Sequence, residues 1–227
     1  MPTLRSALLA AVVAAPLAFA PAARAQTTPQ LRFDNVNGAN AFGYYVGPFT
    51  GTLFRPGGAM GLTIFCVDFL NHVDFGEQEA VAVSSLTGGT VAATRHPGEL
   101  EGYRKAAWLS TQFGTNAQER WGGIQAAMWQ IFSPGAPDGG TDATDATTEA
   151  YWQQRANVFV ASATYASYDW SRFYVLTDVR AAGQASGVGM QEFITNTPNV
   201  VPEPATWALL AGGLAGVGVI AWARRRA

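Results

Sequence analysis

Short apolar segments separated by glycine and proline dominate the first part of the chain after residue 40. Their length, their flanking turn residues and their β-branched and aromatic content predict strands at 42–46, 50–54, 62–69 and 79–83. The segment 62–67 is apolar on both faces, which predicts a strand that is buried on both sides. The segment 42–83 is therefore expected to form an antiparallel sheet.

Apolar residues then recur at intervals of three and four, the spacing of one helix face. A first helix is predicted at 99–113, a second from Trp121 to Phe132 and a third at 149–163. Thr115 and Gln118 match the capping-box pattern ahead of the second helix. Strand character returns at 173–177 and 189–195. These elements predict one α+β domain with antiparallel strands and about three helices.

The two ends of the chain carry long uncharged apolar runs that do not belong to this domain. Arg5 precedes an apolar run over residues 7–20, and Ala23 and Ala25 form a small-residue cleavage site. This arrangement predicts a secretory signal peptide at 1–25, so the mature chain is expected to start at Gln26. The chain is therefore expected to be exported.

At the other end, residues 206–223 lack any charge and are followed by Arg224, Arg225 and Arg226. As a helix this segment is about 27 Å long, which matches the hydrocarbon layer of a membrane. The arginines resist translocation, so they predict a cytoplasmic end with the preceding chain on the outer side. The segment 205–227 is thus predicted to be a transmembrane helix with a basic tail.

A Pro-Glu-Pro signature stands directly before this helix, as Val201, Pro202, Glu203 and Pro204. In this order, the signature, the apolar helix and the basic cluster resemble the PEP-CTERM sorting signal of Gram-negative bacteria. That resemblance implies processing near the signature by exosortase, a membrane enzyme, and an association with exopolysaccharide production. It implies an anchor in the inner membrane facing the periplasm before processing, and then the cell surface or the medium.

Between the two signals lies an exported domain at 26–195, followed by a linker with the signature at 196–204. The body from residue 26 to residue 200 holds nine basic and fifteen acidic residues. This negative balance argues against nucleic acid as a partner. No residue pattern in the body calls for a cofactor.

Two residues of the body are unusual for their positions. Cys66 is the chain's one cysteine, so an exported protein has no partner for it within the chain. Gln125 lies within the apolar stripe of the second helix, where an unpaired amide costs about 1–3 kcal/mol. Small neighbours at 122, 123, 126 and 127 allow another segment to approach it closely. A direct approach of the strand that carries Cys66 to the helix that carries Gln125 would account for both residues.

The segment Phe65-Cys66-Val67-Asp68, followed later by Gln125-Ala126-Ala127-Met128-Trp129, resembles the thioester domains of bacterial surface adhesins. In that family the cysteine and the glutamine form an internal thioester that acylates a nucleophile on a partner, here an exopolysaccharide or a surface protein. Ile124 and Met128 stand where the family has Thr and Ile. The alternative is that Cys66 is a small buried apolar residue and Gln125 a hydrogen-bonded core amide.

Other chemistry is poorly supported by the sequence. There is no phosphate loop, no nucleophile elbow and no zinc-binding helix motif, so a turnover enzyme such as a secreted hydrolase is a distant alternative. The spacing of two polar clusters matches no metal site; they are Asp68, Asn71, His72, Asp74 and Glu77, and Asp138, Asp142 and Asp145. The remaining rival is a non-covalent structural or polysaccharide-binding matrix protein.

Overall fold

The computed structural model describes residues 28–36, 39–88, 91–197 and 200. Six of its strands close into an antiparallel barrel and two short strands form a separate hairpin. In chain order the strands are β1 (Gln30–Val36), β2 (Asn40–Ala41), β3 (Tyr44–Tyr45), β4 (Phe49–Arg55), β5 (Gly58–Cys66), β6 (Gln78–Ser85), β7 (Tyr174–Asp178) and β8 (Phe193–Thr195). Around the barrel they follow the order β1–β4–β5–β8–β7–β6, and β6 pairs again with β1.

The helices occupy the stretch of chain between β6 and β7. They are α1 (Leu100–Ser110), α2 (Trp121–Phe132), α3 (Glu149–Val160) and the short α4 (Ala163–Ala166), with a 3-10 turn at Gln118–Arg120. Helix α2 packs against α1, α3 and β5, and α1 also contacts β8. The helices thus cover the barrel on the side of β5 and β8.

Alternate residues of the strands feed two hydrophobic cores. Ile64 and Cys66 of β5 belong to the core inside the barrel, whereas Phe65 and Val67 face the core between barrel and helices. Because successive side chains of a strand point to opposite faces, a strand buried on both sides must be apolar throughout. The two-sided burial predicted for residues 62–67 is confirmed for 64–67, whereas Thr63 is exposed.

The coarse prediction of antiparallel strands together with helices is confirmed, and several boundaries are corrected. The strand predicted at 42–46 is instead a hairpin, because Phe42 and Gly43 adopt φ of 57° and 83° and turn the chain between β2 and β3. β5 ends at Cys66, short of the predicted residue 69, and only Phe193–Thr195 of the strand predicted at 189–195 is formed. The strand β1 at Gln30–Val36 was not predicted from the sequence.

The helix predictions are correct in place but not in their ends. The predicted capping box is wrong: α2 begins after Arg120 without a side-chain cap, and the Thr115 hydroxyl donates to the carbonyl of Gln112. The third helix ends at Val160, short of residue 163. Within the described ranges no helix is long and apolar enough to cross a membrane. The segments predicted as signal peptide and membrane helix lie outside those ranges.

Candidate functional site

Cys66 is the last residue of β5 and lies inside the barrel, 1 % exposed. Its Sγ lies 3.2 Å from the backbone carbonyl oxygen of Asp68 and donates to it. Burial raises the pKa of the Cys66 thiol from 9.0 to about 12, and the nearby negative charge of Asp68 acts in the same direction. The thiol is therefore neutral at physiological pH.

Gln125 reaches Cys66 from helix α2, across 59 residues of sequence. Its side chain is fully buried, and its Nε2 donates a 2.7 Å hydrogen bond to the backbone carbonyl of Cys66. Its Oε1 accepts a longer contact of 3.5 Å from the backbone N–H of Gly47, just after the hairpin. The amide is thus satisfied on both sides, as a buried polar group must be.

Trp129 brings a third group to the same place. It lies one helical turn after Gln125 and is 3 % exposed, and its Nε1–H donates to the Cys66 Sγ at 3.3 Å. Residues four apart share one face of a helix, so α2 presents both side chains to the end of β5. Trp129 belongs to the glutamine motif identified in the sequence, but no sequence pattern predicts its contact with the sulfur.

Small residues of α2 permit close approach of the chain. A Cβ on Gly123 would lie 2.5 Å from the carbonyl oxygen of Thr147, and one on Gly122 would lie 2.8 Å from the Cβ of Ala41. The predicted close approach is confirmed, but the neighbours at the glycines are the loop before α3 and the hairpin. The strand with Cys66 meets the helix at Gln125 instead.

A buried charge network, which was not predicted from the sequence, supports the residues after Cys66. The Arg95 guanidinium, wholly inaccessible, lies 2.8 Å from Asp68 and donates to the carbonyls of Gln184, Val188 and Met190. The Glu192 carboxylate accepts from the backbone N–H of Arg95 and from the hydroxyls of Tyr103 and Thr177. Burial raises the pKa of the Glu192 carboxyl. No sequence motif marks such a network, because its members lie on separate elements.

An aromatic pocket of about 270 Å³ leads from the surface to this site. Cys66 and Trp129 line it together with Tyr44 and Tyr45 of the hairpin, and its polar rim includes His72, Asp74 and Gln191. The Tyr44 ring contacts Phe69 and Trp129 edge-on, at centroid distances of 5.0 and 6.1 Å. Small molecules thus have a route toward the sulfur.

The polar residues considered as metal ligands serve turns. Asp68 accepts from the backbone N–H of Leu70 and the side chain of Asn71, and Glu77 accepts from the N–H of Asp74. Each of the three loop aspartates accepts a backbone N–H two residues further on; they are Asp138, Asp142 and Asp145. In the part of the chain that the structure describes, no three His, Cys, Asp or Glu residues cluster as they would around a metal ion.

The predicted sorting residues lie outside the described residues, so the evidence for them comes from sequence. They are Ala23 and Ala25 at the N-terminal end, and Val201, Pro202, Glu203, Pro204, Arg224, Arg225 and Arg226 at the C-terminal end.

Comparison with known proteins bears on the C-terminal set alone. Neither the curated proteins nor the solved structures yield a match to this chain. Comparison with protein families matches residues 200–226 to the PEP-CTERM protein-sorting motif. The motif marks an exported protein whose precursor is anchored in the membrane and is sorted by exosortase to the cell surface. The chain therefore carries the PEP-CTERM protein-sorting motif at residues 200–226 and is an exosortase-sorted, exported protein.

Proposed function

We propose that the exported body forms an internal thioester between Cys66 and Gln125 and uses it once, to attach the protein covalently to a partner at the cell surface. The observation that carries this proposal is the buried meeting of the two residues, in which the Gln125 carboxamide lies 2.7 Å from the Cys66 carbonyl oxygen. The partner is an exopolysaccharide or another surface protein.

The chemistry needs no cofactor and no oxidant. The Cys66 sulfur adds to the side-chain carbonyl carbon of Gln125, the carbon–nitrogen bond breaks, and the thiol proton leaves with the nitrogen as ammonia. An amine or hydroxyl of the partner then attacks the same carbon, the carbon–sulfur bond breaks, and the sulfur regains a proton from the nucleophile. Each molecule is consumed by one attachment, so the protein acts without catalytic turnover.

Burial of the two residues and the pocket beside them both support this role. Cys66 and Gln125 are 1 % and 0 % exposed, so bulk water has little access to an acyl–sulfur bond between them. The pocket lined by Cys66 and Trp129 supplies a limited route by which a nucleophile can approach. An acyl–sulfur bond at this site is therefore shielded from bulk water but can still be reached by a nucleophile.

Intact-mass measurement of the purified protein tests the proposal. With a thioester the protein weighs one ammonia less than its sequence, and Cys66 resists alkylation under denaturing conditions until methylamine opens the bond. Cys66→Ala and Gln125→Ala each remove the mass deficit, and peptide sequencing of residue 125 detects bonds lost by hydrolysis, which leave Glu. A wild-type protein of full sequence mass, with Gln at 125 and Cys66 freely alkylated, would show that no thioester forms.

A second candidate is non-covalent binding of polysaccharide as a matrix protein, and the aromatic pocket favours it. Aromatic faces next to polar rim groups are typical of sites that orient a ligand with both apolar and hydroxyl surfaces. Binding of Cys66→Ala protein to exopolysaccharide from the native host separates the two candidates. Undiminished, reversible retention of that variant supports the non-covalent function, whereas retention that requires Cys66 supports the thioester.

A further inference from the structure

The sulfur of Cys66 has two polar contacts within the described residues, and they differ in what happens to them when a thioester forms. In the free thiol, Sγ donates to the Asp68 carbonyl at 3.2 Å and accepts from the Trp129 indole N–H at 3.3 Å. An acylated sulfur has lost its proton and can no longer donate to Asp68. The indole N–H can still donate to it.

Departure of the sulfur is electrostatically difficult at this site. When a partner attacks the acyl carbon, the sulfur leaves with the bonding electron pair, as a thiolate. Burial disfavours that charge, and the carboxylates of Asp68 and Glu192 add repulsion. The Trp129 hydrogen bond acts in the opposite direction and lowers the pKa of the Cys66 thiol. A donor aimed at the atom that gains charge stabilises the transition state more than the ground state.

Tryptophan suits this position chemically. Its indole N–H is a donor only, so it neither takes a proton from the nucleophile nor competes for the acyl group. The ring packs against Phe69 at a centroid distance of 5.1 Å, which holds the N–H in place beside Sγ. Since Trp129 follows Gln125 by one turn of α2, a single helix positions both the acyl carbon and the donor to its leaving group.

We propose that Trp129 is a catalytic residue of the acyl transfer, whose indole N–H stabilises the thiolate of Cys66 as the carbon–sulfur bond breaks. This inference rests on the proposed thioester. It adds a residue that touches a reacting atom, and it explains why a tryptophan stands four residues after the glutamine.

The test compares Trp129→Phe with Trp121→Phe in the full exported protein. Trp121 lies on the same helix, but its indole N–H donates to the carbonyls of Phe113 and Asn116, away from the sulfur. We expect methylamine to open the thioester of Trp129→Phe about tenfold more slowly than that of wild type, the factor that one hydrogen bond to a charged atom carries. Trp121→Phe is expected to open at the wild-type rate, within about twofold.

The direction of the change in opening rate distinguishes a catalytic role of Trp129 from a purely structural one. A purely structural role predicts faster opening and faster hydrolysis in Trp129→Phe, because looser packing admits water and methylamine. Faster or unchanged opening therefore overturns the catalytic role. A wild-type protein without the mass deficit overturns the thioester and this proposal together, whereas a deficit with equal rates in the two variants overturns the role of Trp129 alone.

A second measurement does not depend on the Trp129→Phe variant folding. In proton–nitrogen correlation spectra, the indole signal of Trp129 is expected to shift between wild type and Cys66→Ala, and again when methylamine opens the wild-type bond. The indole signal of Trp121 is expected to stay in place and serves as the control. A Trp129 signal that is the same in the acylated and opened forms contradicts the proposal.

Discussion

Arg95 and Asp68 form an ion pair inside the protein, with Nε 2.8 Å from Oδ2 and side-chain exposures of 0 % and 5 %. The contact is electrostatic, because the Nε–H is not directed at the oxygen with hydrogen-bond geometry. The remaining donors of the guanidinium hold three backbone carbonyls between residues 184 and 190. This pair therefore ties the turn after Cys66 to the segment that leads into β8.

Removing one partner of this pair is expected to destabilise the protein strongly. In Arg95→Met the Asp68 carboxylate stays buried without its counter-ion, and we expect a loss of about 3–5 kcal/mol in the free energy of unfolding. Urea denaturation measures it. The double variant Arg95→Met with Asp68→Asn should recover part of the loss, since residue 68 then carries no unpaired charge. A double variant no more stable than the single one would contradict the electrostatic explanation.

The close approach of the loop before α3 to α2 gives a second prediction. In Gly123→Ala the new Cβ would lie 2.5 and 2.7 Å from the carbonyl oxygens of Thr147 and Thr148, so backbone must move. We expect a loss of about 1–3 kcal/mol in unfolding free energy, measured by urea denaturation. Gly135→Ala is the control, because its Cβ meets nothing within 4 Å. Equal stability of the two variants would show that the loop yields without cost.

The raised pKa of Cys66 predicts how stability depends on pH when the thiol is free. Between 9.0 and about 12 the folded protein keeps the thiol proton and the unfolded chain loses it. Stability is therefore unaffected below that range and falls within it by about 1.4 kcal/mol per pH unit. Urea denaturation of Gln125→Ala across this range, with Gln125→Ala plus Cys66→Ala for comparison, isolates the contribution of the thiol. Parallel pH profiles of the two proteins would refute the pKa shift.

The sorting motif predicts where the mature chain ends. The matched motif has Pro202 and Pro204 directly before the apolar segment, and we expect processing that leaves the mature C-terminus between Val201 and Ala205. Peptide mapping of protein exported by the native host identifies that end. Residues 208–223 still present in the exported pool would show that the segment serves only as an anchor.

The arginine cluster can be tested separately. Because Arg224, Arg225 and Arg226 resist translocation, replacing all three with Ala is expected to reduce retention of the precursor in the membrane during processing. Fractionation of membrane and exported protein measures the change. Arg172→Ala, a substitution within the body, controls for loss of positive charge as such. Unchanged sorting of the triple variant would argue against a stop-transfer role.

Local sequence patterns are enough to predict the sorting motif and the type of several elements. The apolar run at 62–67 predicts a strand buried on two sides, which is confirmed for residues 64–67, and the apolar stripe around Gln125 predicts a helix face that α2 does bury. These features are readable because periodicity and side-chain polarity act over a few residues. The turn at Phe42 could not be predicted in this way, because non-glycine residues rarely adopt a positive φ.

The contacts between distant residues follow from the packing of the whole fold. Closure of the barrel needs β1 to pair with both β4 and β6, and the meeting of Cys66 with Gln125 and Trp129 spans about sixty residues of chain. The partners of Arg95 come from separate segments, so no local pattern announces a buried charge there. Long-range contacts are set by how the elements pack together. A single sequence indicates that packing only where a residue does not suit its local helix or strand.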